Sequence, residues 1–196
     1  MNQADGLNPA SCTAFLLAAF TLAGFCQAAW LGSACSRRFA VPLDAGLTWR
    51  GRRLLGDNKT VRGFMVMVPA TALSFAALAA IVQTMAPHTG LWFGSPAGYL
   101  LTGFWAGVGF MGGELPNSFV KRQLEIAPGT SPTGRVAAAI SFAIDRLDSV
   151  LGMLVVLSIA VPVPWRTWLY VLVVGPALHG LFSMLIFRLG GKARAA

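Results

Sequence analysis

The chain has 196 residues, of which 56% are hydrophobic and only 11% charged, whereas a soluble domain carries about a quarter charged residues. This composition excludes an ordinary soluble globular domain and points to an all-α integral membrane protein, organised as one domain over residues 1–196. The formal net charge is +8, but the basic residues flank apolar runs and do not line a soluble face, which argues against a nucleic-acid partner.

Residues 1–10 carry Asp5 and no Lys or Arg. The apolar run at about 12–32 is long enough to cross a bilayer. It lacks the basic start and short apolar core of a cleaved signal, so it is expected to be a retained first helix. A basic connection follows, with Arg37, Arg38, Arg50, Arg52, Arg53, Lys59 and Arg62 against Asp44 and Asp57. The second helix is expected at about 63–85. After it comes a connection with His88 but no Lys or Arg, and then a glycine-rich third helix at about 97–113, whose small residues allow close helix packing. A charged stretch covers 114–135. The fourth helix, at about 136–161, carries Asp145 and Asp148 on its early turns and is stopped by Pro162 and Pro164. The fifth, at about 167–189, is kinked by Gly175-Pro176, and the tail carries Arg188, Lys192 and Arg194.

Lys and Arg are concentrated in the first and third connections and at the C-terminus. The positive-inside rule then sets the N-terminus outside and the C-terminus in the cytoplasm, with five spans and both charged connections on the cytoplasmic face of the cell membrane. Cys12, Cys26 and Cys35 form no Cys-x-x-Cys pair and imply neither a zinc site nor a disulfide framework.

The chemistry is expected in the charged connections. In the first, Gly56 permits a tight turn, Lys59 and Arg62 can neutralise phosphate oxygens, and Thr60 or a helix N-terminus can donate hydrogen bonds. The glycine spacing is not that of a Walker loop. In the second, Glu114, Ser118 and Lys121 or Arg122 fall on one face if the third helix continues past Pro116, which otherwise marks a new helix start. Asp145 and Asp148, at i and i+3, share a helix face and repel each other unless a cation sits between them. Oxygen ligands beside a phosphate substrate point to Mg2+. Residues 126–134 read as a turn-rich linker without chemistry, and His88 and His179 as a loop residue and a helix-packing residue.

Ser118-Phe119-Val120-Lys121-Arg122, followed by Asp145-Arg146-Leu147-Asp148, resembles the Ser-x-x-Lys-Arg and Asp-Arg-x-Asp signature of CDP-diacylglycerol synthases. The smaller five-span relatives, the CDP-archaeol synthases, are more similar still, because they carry a first-loop motif like Leu55 to Gly63, entered by a segment like Pro42-Leu43-Asp44. The resemblance implies transfer of a cytidylyl group from CTP to a lipid phosphate of the phosphatidic or archaetidic acid type, with release of pyrophosphate and with Mg2+ as cofactor. It implies Lys121, Arg122 and Ser118 as the catalytic motif. Asp57, Asn58, Lys59, Thr60 and Arg62 become substrate-binding positions, and Asp145, Asp148 and Glu114 metal-binding acids. Partners are CTP and a phosphorylated membrane lipid, with a homodimer left open. This chain departs from the family at Glu114, where aspartate is usual. It also departs at Asn117, where the archaeal relatives carry lysine, and at Arg146, which is closer to the diacylglycerol branch. The His-Gly-Gly of that branch is absent before Asp145. A non-catalytic membrane scaffold or lipid-binding protein is the alternative reading, and a transporter is disfavoured because the charges gather at one face.

Overall fold

The computed structural model describes residues 6–87, 89–92 and 94–189; Asp5, His88, Lys192 and Arg194 lie outside the described residues. The backbone forms five long helices: α1 (Pro9–Gly32), α2 (Val61–Met85), α3 (Pro96–Gln123), α4 (Arg135–Ala160) and α5 (Trp165–Arg188). Local chemistry sets their ends. The Asn8 side chain accepts from the amides of Ala10 and Ser11, with Pro9 at the first helical position, and Ser95 caps α3 ahead of Pro96 in the same way. α4 stops just before Pro162, and α5 starts directly after Pro164.

The helices close into a ring in which each packs on two neighbours: α1 on α2 and α5, α3 on α2 and α4, and α4 loosely on α5. α1, α2 and α5 are long and apolar enough to cross a membrane by composition alone. α4 falls short because it carries Asp145, Arg146 and Asp148, and α3 because glycine dilutes the apolar segment 96–113 and charged residues follow it; the charges of the two helices meet across their shared interface. That interface is tight because it is built from glycine. A Cβ on Gly113 would strike the carbonyl oxygen of Asp148, and one on Gly152 the carbonyl oxygen of Gly109, so the two backbones touch with no side chain between them.

Two boundaries differ from the sequence expectation. α3 does not end at 113 but continues through Pro116 to Gln123. Pro116 has no N–H to give to the Gly112 carbonyl, so the helix passes through it with one backbone hydrogen bond fewer. Asp145 and Asp148 do not sit at the start of α4. The helix begins at Arg135, which places both acids near its middle, at the depth of Glu114 and Asn117 on α3.

The ring is filled at one end only. Phe15 packs edge-on to Phe75 with centroids 5.1 Å apart and lies 5.5 Å from Tyr99. Leu16, Leu154 and Leu157 complete this core. Trp92 closes it by donating from Nε1 to the Pro162 carbonyl at 2.7 Å. The other end carries the two basic connections and holds a cavity.

The first connection is more ordered than a topology-setting loop would need to be. It contains a short helical turn, Cys35–Phe39, and a two-stranded antiparallel ribbon, β1 (Thr48–Trp49) and β2 (Arg52–Arg53). Its two ends are stitched together where Leu43 donates to Lys59 at 2.8 Å and Val61 to Val41 at 2.9 Å.

Candidate active site

At the centre of the first connection is Asp44, only 4% exposed. Its carboxylate accepts from Arg53 Nη2 at 2.6 Å and Nε at 3.2 Å, and from the amides of Leu55 at 2.9 Å and Gly56 at 3.2 Å. The Arg53 guanidinium outweighs the cost of burial and holds the Asp44 carboxyl well below the usual carboxylate range. The same arginine reaches Asp57 at 2.9 Å. Asp44 therefore shapes the turn that presents residues 56–62. Gly56, at φ +91°, makes that turn in a region other residues avoid, and a Cβ there would lie 3.0 Å from Pro128 and 3.4 Å from the Arg122 side chain. The two charged connections thus pack directly on each other. Arg52 reinforces the contact by pairing with Glu125.

Lys59 turns inward and pairs with Glu114 of α3, with the two side chains 19% and 18% exposed. Burial works against the lysine's charge, and the Glu114 carboxylate overcomes it, raising the ammonium above its ordinary range. The other Glu114 oxygen accepts from Ser149 Oγ at 2.8 Å and lies 3.8 Å from His179 Nε2. Asp148 accepts from the Ser149 amide at 2.7 Å. Asn117 donates from one amide nitrogen to Asp145 at 2.6 Å and to Asp148 at 2.9 Å. Lys121 binds both oxygens of Asp145. The result is a continuous chain of alternating groups from Lys59 to Lys121 across three elements. Within it three carboxylates face two ammonium groups, with the Asn117 amide placed between the two aspartates.

These groups line a cavity of about 780 Å³, together with Asn58, Thr60, Arg62 and Ser118. Asp57 and Arg122 line it too, so every residue proposed for the site from sequence meets the same space. The Ser118 hydroxyl donates to the Glu114 backbone carbonyl at 2.9 Å and so faces the cavity as an acceptor only. Arg122 is 8% exposed, and its Nε and Nη1 atoms are buried without a hydrogen-bond partner among the described residues. A buried guanidinium in that state carries a large desolvation cost that an anion would remove.

The donor set suits Mg2+. Asp145, Asp148 and Glu114 offer carboxylate oxygens, and Mg2+ is typically held by one or two carboxylates plus substrate phosphates. Among the described residues no three His, Cys, Asp or Glu side chains gather closely enough to hold a metal by themselves.

Several features escaped sequence reasoning. The 126–134 linker is part of the cavity wall, through Pro128, Gly129, Thr130 and Ser131; its proline, glycine and hydroxyl content was the available signal. His179 is not only a packing residue. It contacts Glu114 and the Phe110 ring, at 5.6 Å between centroids, and lines the cavity. Nothing in the sequence marks it, because its helix is apolar on all sides. Asp44 as a buried hub and Asn117 as a bridge were also not legible, since each depends on partners brought in by folding.

The α1 and α5 side of the cavity is largely apolar, with Phe20 and Leu31 of α1 and Leu178, Phe182 and Ile186 of α5. The space thus has one charged face and one largely apolar face.

Comparison with known proteins places the chain in a family. The family model of CarS-like CDP-archaeol synthases matches residues 13–194. The CDP-archaeol synthase of Methanospirillum hungatei is 33% identical over 78% of this chain and 87% of its own length. That of Pyrococcus furiosus is 31% identical over 78% and 81%, and that of Halobacterium salinarum 34% over 77% and 81%. The solved structure of an intramembrane enzyme for archaeal membrane lipid biosynthesis aligns with a TM-score of 0.54 at 23% identity, covering 83% of this chain and 92% of that one. At that identity it is the fold that the two share.

Proposed function

This chain belongs to the CDP-archaeol synthase family, and from that premise we propose how its cavity performs the family's reaction. The protein is a CTP-dependent cytidylyltransferase of membrane lipid biosynthesis that converts a lipid phosphate to CDP-lipid and pyrophosphate. A lipid phosphate oxygen attacks the α-phosphorus of CTP, the bond from that phosphorus to the bridging oxygen breaks, and pyrophosphate leaves with the electron pair. A phosphate monoester is already nucleophilic near neutral pH, so no strong general base is needed. Catalysis comes from positioning and from fixed positive charge.

The observation that carries the site assignment is Arg122, a buried cation at the cavity wall without a hydrogen-bond partner for two of its nitrogens among the described residues. In our reading it receives a nucleotide phosphate. Lys59 keeps one donor on Glu114 and turns others to the phosphates, while Arg62, Thr60 and Asn58 line the entry beside it. Lys121 holds Asp145 and moves with it as substrate arrives. Asp145 and Asp148 would hold Mg2+, which when bound offsets charge on the triphosphate. Glu114 serves first as the anchor of Lys59 and as an outer member of that acid set. The substitutions at Glu114 and Asn117 both fit the charge chain, so neither supplies a reason for a non-catalytic role.

The excess of Lys and Arg at the cavity end favours five spans with this end in the cytoplasm. The test is one assay on the purified protein. Labelled CTP is offered with ester-linked and ether-linked lipid phosphate, with and without Mg2+, to the wild type and to Arg122→Gln. The expected result is Mg2+-dependent CDP-lipid and pyrophosphate, reduced at least ~100-fold by the substitution. CDP-lipid formation unaffected by Arg122→Gln would overturn the assignment of Arg122.

A further inference from the structure

Arg146 also lines the cavity and has no part in the charge chain. Arg146 follows Asp145 in sequence, but one helix step turns it about 100° away, from the α3 side of α4 to the α5 side. It forms no ion pair among the described residues. Its guanidinium carbon stands 3.5 Å from the centroid of the Phe142 ring, one turn earlier on the same helix. Across the interface it meets α5 at Gly180, where a Cβ would come within 3.2 Å of its Nε. The missing side chain leaves a notch that the arginine occupies.

This notch lies where the ring is weakest. α4 and α5 touch through Val150 and Gly175 and again through Arg146 and Gly180. Toward the basic end they part. The last turns of α5 lean on α1, with Phe182 against Gly24 and Leu189 against Gly32, while residues 135–144 of α4 are exposed or half-buried apart from Ser141. Phe142, 50% exposed, stands at this seam and also lines the cavity. The seam therefore joins the apolar wall of the cavity to the surface of the ring, and Arg146 is the positive charge at the junction of the apolar wall and the charged chain.

We propose that Arg146, held by Phe142 and the Gly180 notch, is the substrate-positioning residue that receives the phosphate of a membrane lipid entering between α4 and α5. The stack on Phe142 keeps the guanidinium plane fixed, so its fork meets phosphate oxygens with little entropy left to lose. The lipid tails would run along Phe182 and Leu178, and the phosphate would be stopped beside the acids that serve CTP. Arg122 and Arg146 then divide the two anionic reactants between them. This rests on the reading of the cavity as a cytidylyltransferase site, and the experiment separates the two.

The test measures equilibrium binding, not turnover, with the full chain in bilayer discs of neutral lipid. Affinity for a lipid phosphate and for CTP is compared among the wild type, Arg146→Gln, Arg146→Lys and Gly180→Ala. The alanine keeps the helix but fills the notch. Arg146→Gln is expected to weaken lipid-phosphate binding about tenfold or more and leave CTP binding within about twofold. Arg146→Lys and Gly180→Ala should show smaller losses in the same direction. A soluble glycerol phosphate without tails should bind the wild type far more weakly than the lipid does. Unchanged lipid affinity in Arg146→Gln, equal loss of lipid and CTP affinity in all three variants, or glycerol phosphate binding as tightly as the lipid would overturn the proposal. Wild type that binds lipid phosphate but makes no CDP-lipid would overturn the catalytic reading and leave this one to be decided by the binding data.

Discussion

Lys59 and Glu114 form a half-buried ion pair between the end of the first connection and α3. The pair fixes where the connection docks, and it leaves an acid and a base dependent on each other for solvation. Removing one partner from a fully buried pair costs about 3–5 kcal/mol, because a buried charge is stranded, and that is the upper bound for this one. Lys59→Met and Glu114→Met are each expected to lower the melting temperature in detergent. The double variant should regain much of that loss yet stay inactive, since Lys59 is assigned to phosphate as well. Full activity in the double variant would remove Lys59 from the substrate site.

Asn117 bridges Asp145 and Asp148, acids that would repel each other without it or a cation. Mg2+ with CTP is expected to raise the melting temperature of the wild type, and chelation should reverse the effect. Asp145→Asn and Asp148→Asn should each abolish that stabilisation and lower turnover by about 100-fold or more. If both variants are still stabilised by Mg2+ to the wild-type extent, the metal lies elsewhere.

Asp44 gives a pH dependence whose sign follows from its depressed folded-state value. Such a carboxylate contributes stability that is complete above its unfolded value of about 3.9 and is lost as pH falls below it. Asp44→Asn should cost about 1–3 kcal/mol of local stability near pH 7. The gap between wild type and variant should begin to narrow near pH 4 and go on narrowing as pH falls further. Hydrogen exchange at the Leu55 and Gly56 amides, which donate to Asp44, reads this directly.

Gly152 lies against the backbone of Gly109 and Gly113. Gly152→Leu should separate α3 from α4 and destabilise the bundle by about 2–3 kcal/mol or more. Activity should fall further than stability explains, because the same separation pulls Asn117 away from the aspartates. Comparing thermal melts with turnover at a temperature where the variant remains folded checks this.

Cys35 is exposed beside the basic end, whereas Cys12 is buried. With Cys26 replaced by serine, a membrane-impermeant maleimide is expected to label Cys35 in inside-out vesicles and not in right-side-out ones. The reverse pattern would place the cavity on the outer face.

Much of the architecture was legible before folding was considered. Apolar runs of bilayer length predicted five helices, four of them close to where α1, α2, α4 and α5 lie and the third ending short of Gln123, because transfer of a backbone into hydrocarbon demands long uninterrupted helices. The i, i+3 spacing of Asp145 and Asp148 was readable for the same reason: a helix places such residues on one face. The run from Glu114 to Arg122 was harder, since a proline at 116 usually breaks a helix, yet α3 continues through it to Gln123. His179 was not readable as a cavity residue at all, and Arg146 only as a member of a signature without a role, because each acquires its place from a residue on another helix.

The sequence by itself determined the membrane setting, the helix count and the two charged segments at one end of the bundle, all of which follow from local composition and period. Only the tertiary structure decided what each charge does. Asp57, an acid of the first-loop motif, is drawn toward Arg53, while Asp44, outside the run from Leu55 to Gly63, organises that turn. Lys59 and Lys121 are each committed to an acid, and Arg122 and Arg146 are left facing a cavity with no acid paired to either. Charge assignments of this kind depend on distances of a few ångströms between separate helices in a medium that cannot screen them. Those distances are set by where glycine lets α3, α4 and α5 approach, which no single stretch of sequence encodes.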